Sequence, residues 1–79
     1  MSKKVARNTI FILIKEGKTD AWHCVNDRTM AVLGTVRWFS LSRKYMFEPM
    51  EKVAFGPLAL TEIAEFLKWH NDAHKRMKR

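Results

Sequence analysis

Two runs of the chain interleave cations with aromatic rings: Arg37-Trp38-Phe39 and, after a short polar connection, Arg43-Lys44-Tyr45-Met46-Phe47. Sheets that bind single-stranded nucleic acid use this combination, stacking bases on rings and meeting phosphates with Arg or Lys. The competing reading makes Trp38, Tyr45 and Phe47 core residues beneath a helix, with Arg37 and Lys44 turned to water. A chain of 79 residues needs large rings for its core, which favours the second reading for the aromatics. A second group of cations sits at the ends: Lys3, Lys4 and Arg7 before the first apolar run, Lys75, Arg76, Lys78 and Arg79 after the last. The formal net charge is +7, yet residues 9–67 are formally neutral, so the excess lies in the two ends. Basic ends on a neutral body either contact a polyanion or merely solubilise the chain, and charge alone does not choose between them.

Other constellations are weaker. His70 and His74 stand at i,i+4 and share one side of a helix, as metal ligands on helices do, with Cys24 or His23 as a conceivable third donor. No acidic general base lies between them and no second cysteine exists, so two solvated histidines are expected and no metal or other cofactor is assigned. Cys24 beside His23 is a poor nucleophile pair, because adjacent strand residues project to opposite faces; a packed thiol is expected. The three glycines, Gly17, Gly34 and Gly56, are too scattered for a phosphate loop. With no catalytic residues to nominate, the chain reads as non-enzymatic.

The elements that must carry these residues follow from periodicity. Thr9 to Lys15 is apolar on both alternating sets and reads as a central strand buried on two sides. Asp20 to Asn26 alternates as a second strand, closed by a polar turn at Asn26-Asp27-Arg28. A third runs from about Ala31 to Ser40, with Val36 and Trp38 on one face and Thr35, Arg37 and Phe39 on the other; Gly34 signals a bulge or a close backbone approach. Lys44 to Glu48 is the fourth, which Pro49 ends or confines to an edge. Gly56-Pro57 opens a helix in which Leu60, Ile63, Ala64 and Leu67 form the apolar stripe, widened by Phe66 and Trp69. The prediction is an α+β fold: a four-stranded antiparallel meander followed by one C-terminal helix packed on one face. It forms one small domain over residues 1–79, with a basic N-terminal arm at about 1–8, the sheet at about 9–49 and the helix at about 57–77. One cysteine and no long apolar run point to a soluble protein of a reducing, cytoplasmic compartment.

The stretch Leu33-Gly34-Thr35-Val36-Arg37-Trp38-Phe39, with Arg43, Tyr45, Phe47 and Pro49 behind it, resembles a pattern of small hypothetical proteins of bacteriophages and prophages. Phe55, Leu60, Ile63 and Phe66 resemble that family's closing helix, while Ser42 stands where a further tryptophan is usual. The resemblance implies a mobile-element origin and brings no assigned activity. It points to a small protein that binds host machinery, such as an anti-CRISPR or other anti-defence inhibitor, whose partner is a host nucleoprotein or an acidic protein surface. The expected contact residues are Lys3, Lys4, Arg7, Arg37, Arg43, Lys44, Lys75, Arg76, Lys78 and Arg79. Direct binding of DNA or RNA is the alternative, and a structural or assembly role, as a homo-oligomer through an uncovered sheet face or an edge strand, is the weaker one.

Overall fold

A computed structural model describes residues 3–5 and 8–77, with side chains from 8 to 76. The fold is α+β. Five antiparallel strands, β1 (Lys3–Val5), β2 (Thr9–Lys15), β3 (Ala21–Asn26), β4 (Val32–Phe39) and β5 (Lys44–Pro49), lie in the order β1-β2-β3-β4-β5, followed by one helix, α1 (Pro57–Met77). The four strands expected from alternation are β2 to β5. The addition is β1, which pairs Lys3 with Ile12 and Val5 with Ile10, so part of the stretch read as a free arm continues the sheet. A three-residue segment with two lysines carries no alternation to announce it.

The helix covers one face. Register places Phe11 opposite Cys24, Leu13 opposite Trp22, Trp22 opposite Val36 and Trp38 opposite Tyr45, and these residues meet Ile63 and Phe66 of α1. Phe66 stacks on Phe11 with ring centroids 3.9 Å apart and meets Trp22 edge-on at 5.1 Å. Trp22 meets Tyr45 at 5.6 Å and Tyr45 meets Trp38 at 5.2 Å, both edge-to-face, the arrangement aromatic quadrupoles prefer. Tyr45 is therefore a core residue and Trp38 and Phe47 pack against the core, as the size of the chain required. β2 is buried on both faces at its start, through Phe11 beneath the helix and Ile10 on the opposite face, whereas Ile14 near its far end is exposed.

The helix is turned from the expected stripe. Ile63 and Phe66 are buried and Leu67 packs against the core, but Leu60, Ala64 and Trp69 are exposed, while Glu62, His70, Asn71 and His74 take inward positions. The cause is hydrogen bonding to the sheet at both ends of α1. Near its start, Glu62 accepts from the Asn8 amide N–H at 3.1 Å and from the Thr9 hydroxyl at 2.8 Å. Near its end, Asn71 accepts from the Tyr45 N–H at 2.6 Å and donates to the Tyr45 carbonyl at 3.1 Å. In an antiparallel strand a residue's N–H and C=O point the same way, so one amide side chain closes both outward groups of Tyr45 on edge strand β5.

Gly34 shows both features its place suggested. The register slips between Cys24 and Val25 as β3 crosses from Gly34 to Val32, and the Phe47 ring lies directly over the glycine. No described helix is long and apolar enough to cross a membrane.

Candidate functional site

The β4–β5 connection is a tight turn closed by the Arg43 N–H on the Phe39 carbonyl at 2.7 Å, with Arg43 in the left-handed region at φ 56°. It projects Ser42, Arg43 and Lys44 toward the last turns of α1, where Asn71 has clamped the helix onto Tyr45. The result is an open cleft of about 460 Å³ lined by Trp38, Ser42, Arg43, Lys44, Asn71, His74 and Lys75. The two basic segments that the sequence shows about thirty residues apart here share one cavity.

None of the described residues lining the cleft is acidic. The nearby carboxylate of Asp72 is engaged by Lys68 at 3.2 Å. Arg43, Lys44 and Lys75 are exposed cations whose potentials add over a concave surface, and such a surface concentrates anions. The helix dipole is negative at the last turn, which favours the cations Lys75 and Arg76 there. Trp38 forms the apolar wall, held by Tyr45 on one side and by the His74 ring, 4.3 Å away, on another.

The expected contact residues divide. Arg43, Lys44 and Lys75 come together. Arg37 does not: register puts it on the uncovered face, where it bonds Glu48 at 2.9 Å and lies 4.4 Å over the Phe39 ring. That pair holds the Glu48 carboxyl below its ordinary range through the guanidinium hydrogen bond. Arg76 is exposed and does not line the cleft, and the side chains of Lys3, Lys4, Arg7, Lys78 and Arg79 lie outside the described residues. Ser42 and Asn71 were not foreseen as site residues, and His74 was considered only as a metal ligand. For Asn71 and His74 the signal was the spacing 71, 74, 75 on one helical side, which becomes meaningful only once the helix orientation is known.

The histidines are half-buried, not fully solvated as expected. His70 packs against Trp22 at 4.4 Å and Phe66 at 4.3 Å, and His74 against Trp38, so i,i+4 spacing aligns both on aromatic rings of the sheet. Among the described residues no group of three or more metal-binding side chains forms.

Cys24 is buried with no exposed surface, and its thiol is pushed up to about 12, first by burial and then by the Glu62 charge. A thiolate is the reactive form, so Cys24 in the folded chain is expected to resist a disulfide-exchange reagent at pH 8 and to react on unfolding. The sign for stability is equally definite. Because the unfolded thiol ionises near 9 and the folded one near 12, stability is fully present below pH 9 and declines as the pH rises from 9 toward 12. Denaturation midpoints across that window, in the native chain and in Cys24→Ala, measure the effect.

Arg43 offers a separation of binding from folding. A non-glycine residue in the left-handed region costs about 1–2 kcal/mol, so Arg43→Gly is expected to leave the chain as stable or about 1 kcal/mol more stable in urea while removing one cation from the cleft. A loss of stability on that substitution would show that Arg43 holds the turn rather than serving the cleft. No family model, curated protein or solved structure matches this sequence.

Proposed function

We propose that this chain is a non-enzymatic, phage-type binding protein that engages a nucleoprotein of the host bacterial cytoplasm through the cleft and thereby inhibits a defence system, as anti-CRISPR and other anti-defence proteins do. The observation that carries the binding half of this reading is the meeting of Arg43 and Lys44 with Lys75 on a concave surface lined by no described carboxylate. The inhibitor half rests on the resemblance of residues 33–67 to small phage proteins. A direct nucleic-acid-binding accessory protein is the second reading, favoured by Trp38 in the wall of the same cleft, since rings beside cations suit bases beside phosphates.

Anisotropy of labelled DNA and RNA across a salt series tests the contact. Three phosphates neutralised on a single strand give a log–log slope of roughly −2, so affinity falls roughly twentyfold between 50 and 200 mM salt. Absence of binding to DNA and RNA, or binding indifferent to salt, would remove the nucleic acid from the proposal and leave an acidic protein surface as the target.

A further inference from the structure

The cleft's size and the chemistry of its walls define a narrower ligand than a polyanion. At about 460 Å³ it lies in the lower part of the range of pockets that enclose one small molecule, roughly 300–1,000 Å³. Its lining is of two kinds: one large ring, Trp38, and six polar or charged residues, three of them cations. The pocket that anchors a protein partner is depleted of charge, whereas three of the seven residues lining this one are cations. A free phosphate would use the cations and leave the indole without a role.

A nucleotide unit uses both. Its phosphate is met by Arg43, Lys44 and Lys75, and its base has a flat face to lay against an indole that Tyr45 and His74 already hold in place. A duplex keeps its bases stacked within and presents mainly phosphates to a cleft of this size, whereas a single strand can place an unstacked base in it. We infer that the cleft is a nucleotide-unit site for single-stranded nucleic acid, with the base against Trp38 and the phosphate among Arg43, Lys44 and Lys75. This rests on the proposed reading of the cleft as a polyanion contact.

The test compares three probes on the intact chain at one fixed salt concentration: an eight-nucleotide oligothymidine, a duplex of the same length, and heparin, which carries charge but no bases. The expected result is single-strand binding at least about tenfold tighter than duplex binding, with Trp38→Leu weakening the single strand by roughly five- to a hundredfold and leaving heparin unchanged. Equal, salt-dependent binding of single strand, duplex and heparin would overturn the nucleotide site while leaving the polyanion contact standing. Binding of none of the three would overturn both. Circular dichroism of Trp38→Leu checks that it folds; should it not, the ratio of single-strand to duplex affinity in the native chain decides the matter.

Discussion

Gly34→Ala is expected to destabilise the chain by about 3 kcal/mol, lowering its melting temperature by roughly 15 °C. A β-carbon built at Gly34 meets the Phe47 ring atom Cζ, lies 2.8 Å from Phe47 Cε1 and only 2.6 Å from the Glu48 carbonyl oxygen. The ring has some freedom to turn away, but the carbonyl belongs to the β4–β5 pairing and moves only with the strand. Against this, alanine reduces the entropy of the unfolded chain by an amount worth about 0.4–1 kcal/mol, too little to offset the clash. For a chain of this length total stability is about 4–12 kcal/mol, so the loss is a large share of it. Gly17 and Gly56 are the controls, since nothing lies within 4 Å of a β-carbon at either and neither takes a positive φ. Alanine there should leave the denaturation midpoint unchanged or slightly raised. If all three substitutions behave alike, close packing of β4 against β5 is not what requires Gly34.

Glu62→Ala is expected to cost about 2–4 kcal/mol. The carboxylate accepts from the Asn8 amide N–H through both oxygens, from the Asn8 side-chain amide and from the Thr9 hydroxyl, and Thr9 has no exposed surface. Removing the acceptor leaves a wholly buried hydroxyl and a part-buried backbone N–H without it, at about 1–3 kcal/mol each. Gln at the same position retains one acceptor oxygen and should recover roughly half the loss. A second readout comes from Cys24, which lies in the same core and feels the Glu62 charge. Loosening this end of α1 increases local opening, so Glu62→Ala should speed thiol modification more than Gly34→Ala matched for stability. Equal rates would mean that the thiol is reached only by global unfolding.

These two residues also show where the sequence is legible. Strands β3 to β5 were readable because one face is covered by the helix, so Trp22, Cys24, Val36, Trp38, Tyr45 and Phe47 had to alternate with residues of the other face. The helix was readable in extent, from Pro57 to Met77, but not in rotation. Hydrophobic periodicity assigns Leu60 and Ala64 inward, whereas Glu62 and Asn71 face the sheet because backbone and hydroxyl groups there need partners, and a polar residue does not announce where its partner lies. Turns were legible where a side chain builds them: the Asn26 side chain accepts from the Arg28 N–H at 2.8 Å and the Thr29 N–H at 3.0 Å. They were illegible where conformation and residue type disagree, since Met30, Arg43 and Lys52 hold the left-handed positions and no glycine does.

The site was half visible for the same reason. Arg43, Lys44 and Lys75 were each candidates from charge, and Trp38 from its place between them, but their meeting depends on which side of α1 faces β5. Arg37 looked equivalent to Arg43 in a linear reading. Strand alternation sends it to the opposite face, where Glu48 and Phe39 engage it.

The measurement that bears most directly on the cleft as the binding surface is the salt dependence of single-strand affinity in the native chain and in R43Q/K44Q/K75Q side by side. All three positions are exposed, so the variant should fold as the native chain does. The predicted result is a log–log slope flatter by roughly 2, with affinity at low salt reduced accordingly. An unchanged slope and affinity in the folded variant would contradict the account and place the phosphate contacts elsewhere on the molecule.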